Sequence, residues 1–374
     1  MKLHIDHAPF LMALSHVQGI AERKAINPVL ANVLLEAKGN TLVLTTTNLD
    51  ITVQETIPAK LDGEGGSTTV NASMLYEIVK KLDSGSEIKL QSNDLNHQLT
   101  VKSGKARFQL PTLPAKNFSA TIGTSLPHIF ALSAEELRFL LSQPRLFVSQ
   151  EEARYALMGI YLHTHQREDH KVLRTVATDG QRLAFADVPL PDGADGMPGV
   201  ILPKKTGSEI LRLLESRTEE VSLSLSLTQI LVSVGNIRFQ SRLIDALFPQ
   251  YEEAIPKELL DPITISRLLL KDAIERVFLF SQEKTRCIQF VMETNQITLS
   301  AHNVESGSGT EELEIVYHGP RIEMLLNGRY CLDVLNQIDC PNLLWRQERS
   351  ANRVVIQGED ETDATFILMS MGDD

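Results

Sequence analysis

The stretch L-R-T-V-A-T-D-G-Q-R-L, from Leu173 to Leu183, decides how the chain is read. Val176 to Thr178 alternate as a strand does, Asp179-Gly180 tolerates the positive φ of a tight reversal, and Leu183-Ala184-Phe185 resumes a strand. A hairpin at the middle of the chain is therefore predicted, and its surroundings recur once before it and once after it. Helices are predicted at Pro9–Val17, Ala134–Leu141 and Arg267–Phe278. In the second, Leu137, Leu140 and Leu141 share one face, as do Leu270, Ile274 and Val277 in the third. A strand pair follows each helix. The first turns at Gly39-Asn40, the second crosses a polar turn between His165 and Val172, and the third turns at Thr294-Asn295. A small acidic or amide residue closes each pair, Asn48, Asp179 and Asn303, at spacings of 131 and 124. Second helices start near Asn71, Lys204 and Asn327, and further strands end each segment.

A unit this long, repeated in phase, is no solenoid; it reads as three copies of one domain. The fold class is α+β, three times over, with antiparallel sheet and two helices in each copy. The expected bounds are 1–125, 126–255 and 256–374. Proline and polar residues gather at Ser125-Leu126-Pro127 and between Pro249 and Pro262.

The chain has 374 residues with 43% hydrophobic and 22% charged, a globular balance for two or three domains. No apolar run approaches a membrane span, and the opening M-K-L-H-I-D-H reads as an alternating strand, not a secretory signal. Three cysteines, Cys287, Cys331 and Cys340, without a C-x-x-C pair, point to reduced thiols and a cytoplasmic setting. Thirty-six basic against 48 acidic residues leave a net charge of −12, the reverse of an ordinary DNA-binding domain. A role on DNA then requires cations gathered on one surface. The predicted helices carry Lys80, Lys81, Arg138, Arg145, Lys204, Lys205, Arg212, Lys271, Arg276 and Arg329, with Arg23-Lys24 beyond the first helix, although acids share those helices.

No catalytic constellation is expected. Asp83-Ser84-Gly85 follows a charged helix end and reads as a helix-terminating turn, not as half of an aspartic-protease pair. His163 and His165 share a strand face with Asp169 and His170 across the turn, a pattern that reads first as a solvated hairpin and only distantly as a hydrolytic metal site. Lys204-Lys205-Thr206-Gly207 lacks the glycines of a phosphate loop, and no nucleophile elbow is present. No cofactor or metal is expected.

The central T-D-G-Q-R-L resembles the T-D-G-H-R-L signature of the bacterial DNA polymerase III sliding clamp (beta subunit), and the threefold element order resembles that family over the whole chain. The resemblance implies a non-catalytic processivity factor. Two chains meet head to tail, sheets form the outside of a ring and helices line a hole that encircles duplex DNA without reading its sequence. The implied partners are the polymerase III catalytic subunit, the clamp loader and other proteins carrying a clamp motif. A peptide-binding scaffold that never meets DNA is the alternative.

By the same resemblance, partner peptides meet Leu157, Thr178, Gly180, Arg182, Leu183, Pro249, Asn327, Tyr330 and the run Ile367-Leu368-Met369-Ser370-Met371, with Arg182 and Asn327 placed to anchor a glutamine or carboxylate. The resemblance puts DNA against Lys24, Arg154, Tyr155 and Lys205, to which the helix cations add Arg23, Lys80, Lys81 and Arg212, and it joins Phe108 and Leu110 to Leu279 and Phe280 across the dimer. Departures from the family pattern are Ser73 for an arginine, Thr285 for a phenylalanine, Ala246-Leu247-Phe248-Pro249-Gln250-Tyr251 followed by Glu252-Glu253 for G-R-F-P-D-Y and basic residues, Ser370 within M-P-M, and acidic Asp373-Asp374.

Overall fold

The computed structural model describes residues 1–22, 27–93, 96–120, 122–123, 126–350 and 352–372. The first copy of the repeat runs β1 (Lys2–Asp6), α1 (His7–Gln18), β2 (Asn32–Lys38), β3 (Thr41–Thr47), β4 (Ile51–Pro58) and the short β5 (Lys60–Leu61). It continues with β6 (Gly66–Asn71), α2 (Ala72–Lys80), β7 (Glu87–Asn93), β8 (Gln98–Ser103) and β9 (Ala106–Leu113). The second runs β10 (His128–Ser133), α3 (Ala134–Ser142), β11 (Gly159–Gln166), β12 (Lys171–Thr178), β13 (Arg182–Pro189) and β14 (Val200–Pro203). Then come α4 (Lys204–Leu214), β15 (Glu220–Leu225), β16 (Gln229–Val234) and β17 (Ile237–Arg242). The third runs β18 (Ile263–Ser266), α5 (Arg267–Phe278), β19 (Cys287–Glu293), β20 (Gln296–Asn303), β21 (Gly307–Glu314) and β22 (Ile322–Asn327). It ends with α6 (Gly328–Leu335), β23 (Asn342–Gln347), β24 (Arg353–Gly358) and β25 (Ala364–Met369). The order is the same three times, apart from β5.

Local chemistry explains the helix starts. The Asn71 side chain accepts from Met74 N at 2.9 Å at the head of α2, and Asn327 accepts from Arg329 N and Tyr330 N at the head of α6. Ser133 and Glu136 form a reciprocal capping box that opens α3.

The chain divides into two compact units, and α3 and α4 each cross the division. One unit comprises residues 1–137, 191–198 and 208–243; the other comprises 138–190, 199–207 and 244–374. In the first, one sheet runs β10-β15-β16-β17-β4-β3-β2-β6-β9-β8-β7-β1-β5, and α1 packs on α2. Its core holds Leu3, Phe10, Leu14, Leu35, Leu42 and Phe239. In the second, one sheet runs β14-β11-β12-β13-β25-β24-β23-β18 and another β21-β20-β19-β22, while α5 packs on α6. Phe290 stacks on the buried Trp345 there.

One pattern ties the repeats together. The last strand of the second copy, β17, pairs antiparallel with the fourth strand of the first, β4, from Ile237↔Glu55 to Ser241↔Ile51. The last strand of the third copy, β25, pairs with the corresponding β13 of the second, from Arg182↔Leu368 to Ala186↔Ala364. Among the described residues the remaining members of this series are open. β21 pairs only with β20 and ends its sheet, and β9 pairs with β8 but meets β6 only at Thr112 and Leu113.

Candidate functional site

The connection from β12 to β13 is built by its own side chains. Thr178 and Leu183 are the last paired residues, so four residues join the strands where a tight reversal at Asp179-Gly180 was expected. The reason is an Asx turn: Asp179 Oδ1 accepts from Gln181 N at 3.0 Å and Arg182 N at 3.1 Å, while Thr178 Oγ1 accepts from Gly180 N at 3.1 Å. Only Gly180 takes a positive φ, +91°. A Cβ there would lie 2.5 Å from Nη1 of Arg154, which donates to the Asp179 carbonyl at 2.8 Å. Glycine is needed both for the backbone and for that approach.

Beyond the turn the side chains divide between two faces with the period of a strand. On one face Arg182 spends its donors inside the protein. Nε meets Asp179 at 2.9 Å, Nη1 meets Asp333 at 2.8 Å and Nη2 donates to the Leu146 carbonyl at 2.7 Å. Its guanidinium also lies between the rings of Phe147 and Tyr330. Asn327 is likewise occupied as the cap of α6. The anchoring role read for these two from the sequence therefore meets side chains whose hydrogen bonds are already made.

On the other face Leu183 is wholly buried. It packs with Val176, Phe185, Tyr251, Val355 and Ile367, and Tyr161, Phe248, Ala254, Ile255 and Leu259 close over them. Phe248 stacks on Tyr161 with centroids 4.8 Å apart. Below this lid the Arg174–Asp187 pair is bidentate, with bonds of 2.6 and 2.7 Å. His163 Nε2 lies 3.1 Å from the Tyr251 hydroxyl and Nδ1 lies 2.8 Å from the Thr164 carbonyl. Both imidazole nitrogens are engaged, and burial pushes its pKa down to about 4. Among the described residues no group of three or more His, Cys, Asp or Glu side chains is placed to hold a metal ion.

The other expected peptide-site residues lie nearby. Leu157 is half-buried at the end of a 3-10 segment, Pro249 is exposed, and Tyr330 is hydrogen-bonded to the Gln181 side chain at 3.0 Å. Leu368 is buried on the Arg182 face, opposite Leu183, so those two do not flank one slot. The C-terminal run is tied down by its backbone. Met369 N donates to Gln181 O, Ser370 N to Asn352 O and Met371 N to Leu325 O. The aromatic lid and the 95%-exposed Leu247 were not foreseen; the A-L-F-P-Q-Y run carried that signal.

Of the expected DNA contacts, Arg23 and Lys24 lie outside the described residues. Lys80 and Lys81 are exposed at the end of α2, Lys205 is exposed in α4, and Arg154 stands beside the exposed Tyr155. Arg212 differs. It pairs with Glu209 and donates to the Ser15 and His16 carbonyls at the end of α1, so it is a helix cap as well as a cation. Of the expected dimer residues, two lie on β9 and two follow α5. Phe108 on β9 is 37% exposed with Leu110 buried beside it, Leu279 is 75% exposed, and Phe280 lies against Gly309 of β21.

Three family models match in sequence order: the N-terminal domain of the DNA polymerase III beta subunit at residues 1–122, its central domain at 131–250 and its C-terminal domain at 252–372. The chain belongs to the DNA polymerase III beta subunit family. Among curated relatives, the beta sliding clamp of Caulobacter vibrioides is 38% identical over 371 residues, covering 99% of this chain and all of the relative. That of Escherichia coli K12 is 31% identical over 373 residues with the same coverage. Among solved structures, the Caulobacter crescentus beta sliding clamp with polyethylene glycol bound superposes with a TM-score of 0.95 at 38% identity, covering 100% of this chain and 99% of the other. The Bartonella birtlesii clamp bound to griselimycin gives 0.95 at 34% identity, with both chains covered completely. The threefold α+β repeat of antiparallel sheets and helices is thus that of the sliding-clamp family. No helix among the described residues is long and apolar enough to cross a membrane.

Proposed function

We propose that two copies of this chain close head to tail into a ring that encircles duplex DNA and tethers the replicative polymerase and other partners to it. The open strands carry this reading. Twice within the chain the last strand of one copy of the repeat pairs with the fourth strand of the copy before it. In the third instance, β9 with β21, β21 ends its sheet and β9 is open before Thr112, and a second chain supplies the missing partner for each. Charge favours this junction. Lys102, Lys105 and Arg107 lie on the β8–β9 hairpin, and Glu312 and Glu314 on β21, while Glu311 is paired with Arg276. Three domains per chain, 1–125, 126–255 and 256–374, make six in the ring.

In this reading the protein is a cytoplasmic, non-catalytic subunit. DNA is held by topology, with exposed cations such as Lys80, Lys81 and Lys205 easing its passage against a net charge of −12. The polymerase catalytic subunit and the clamp loader dock through short extended peptides whose apolar pair enters the Leu183–Tyr251 cluster when the Phe248–Pro249 lid gives way. Sedimentation at micromolar concentration tests the ring. Wild type is expected at twice the chain mass of 41.6 kDa, and Leu279→Glu, on an exposed side chain, is expected to sediment as a folded monomer. A wild-type monomer contradicts the proposal.

A further inference from the structure

The helix side of the central turn holds a cavity of about 480 Å³, all of it within one compact unit. Five cations line it: Arg154, Arg182, Lys204, Arg286 and Arg329. Its three carboxylates are already paired. Glu151 meets Arg154 at 2.9 Å, Asp179 meets Arg182 at 2.9 Å, and Asp333 meets Arg182 at 2.8 Å and Arg329 at 3.3 Å. Among the described residues neither the Lys204 ammonium nor the Arg286 guanidinium has a side-chain partner. Arg286 is also one of few non-glycine residues with a positive φ, +53°. Its backbone is pinned there by Arg286 N donating to Gln282 O at 2.7 Å and Gly328 N donating to Arg286 O at 2.8 Å. A strained residue and a half-buried lysine thus bring two uncompensated positive charges to one polar cavity in an acidic protein.

We infer that this cavity receives a carboxylate, an Asp or Glu side chain on a partner segment flanking the docked peptide on its glutamine side. The inference rests on the peptide-docking reading and sharpens it, because Arg182 and Asn327, the anchors expected from sequence, are already bonded within the protein. Gln181 of the turn and Tyr330, hydrogen-bonded to each other, both line the cavity, so a segment leaving the Leu183 cluster across the turn reaches it at Gln181. Lys204 and Arg286 then select among partners by charge, while the apolar cluster supplies the common affinity.

Calorimetry at low salt tests this with three peptides: a core of glutamine and a Leu-Phe pair, the core preceded by two glutamates, and the core preceded by two glutamines. Wild type is expected to bind the glutamate peptide roughly five- to tenfold more tightly than the glutamine peptide, as for partly desolvated ion pairs. That gain is expected to disappear in the Lys204→Gln/Arg286→Gln double variant and to shrink at high salt, with the core peptide bound equally by both proteins. Core binding with no gain from glutamate, or a gain that survives in the double variant, overturns the inference. If a single-stranded oligonucleotide loses affinity for the double variant while glutamate adds nothing, the two cations serve phosphate instead, which also overturns it. Failure of all three peptides to bind wild type overturns the peptide-docking reading and this inference with it.

Discussion

The turn at Asn48-Leu49-Asp50 and the turn at Asp179-Gly180-Gln181 have the same scaffold and opposite surfaces. In each, a threonine hydroxyl accepts from the amide two residues on, Leu49 N for Thr47 and Gly180 N for Thr178. In each, an Asx side chain accepts from the next two amides, Asp50 and Ile51 in one turn, Gln181 and Arg182 in the other. The last strand of the following repeat pairs beside each. The positions that alternate on the Leu183 side differ. The first turn presents Thr45, Thr47, Thr52 and Gln54, bonded to one another as Thr47–Thr52 at 2.9 Å and Gln54–Thr45 at 3.3 Å. The second presents Val176, Leu183 and Phe185 beneath an aromatic lid. Arg182 stands where the first turn has the buried Ile51. The repeat supplies the scaffold; the second turn exchanges polar for apolar residues on the Leu183 face and an apolar residue for a cation on the Arg182 face, and the proposed peptide docking rests on the first exchange.

Leu183→Asp against Thr52→Asp tests that contrast with the largest effect. An unpaired carboxylate at the buried Leu183 is expected to cost about 3–5 kcal/mol and abolish peptide binding, while the half-exposed Thr52 site costs less than about 1 kcal/mol. Urea denaturation measures both, and equal losses break the comparison.

The buried histidine beneath the lid comes next. The native pKa of His163 is depressed to about 4, so the unfolded chain binds the extra proton first as pH falls below the ordinary value of 6.5. Stability from this group is present above pH 6.5 and lost between 6.5 and 4, on the order of 2–3 kcal/mol. His163→Gln is expected to flatten that part of the pH–stability curve. A slope unchanged from wild type places the depression elsewhere.

The turns themselves give the smallest effects. Gly180→Ala forces a side chain to φ +91° against Arg154 and is expected to cost about 1–2 kcal/mol. Leu49→Gly relieves a positive φ of +77° but loosens the unfolded chain, and is expected to stay within about 0.5 kcal/mol of wild type. Matching losses from both substitutions, measured by thermal unfolding, remove the distinction between the turns.

Periodicity carried most of the fold. The apolar spacing of Leu270, Ile274 and Val277 marked α5, and Asn71 and Asn327 marked helix starts because an amide side chain satisfies orphan amides there. The strand pairings between repeats were not legible, since a strand's own alternation does not name the strand it pairs with. The site was legible by type and not by face. Arg182 and Leu183 are adjacent in sequence, and only the register with Leu368 and Ile367 shows them on opposite sides of the sheet. Arg182 and Arg212 looked like free cations because Asp333 lies far from Arg182 in sequence and the carbonyls of Leu146, Ser15 and His16 are backbone atoms with no sequence signature, although Asp179 and Glu209 each stand three residues away.

Retention on DNA tests the ring most directly. The protein is loaded onto nicked circular duplex, half of the sample is linearised, and release is followed by gel filtration at moderate salt. A topological clamp stays on the circles and slides off the linear ends, and it keeps doing so as salt rises. Equal release from circular and linear DNA, falling together with salt, would mean ordinary electrostatic binding and would contradict the ring.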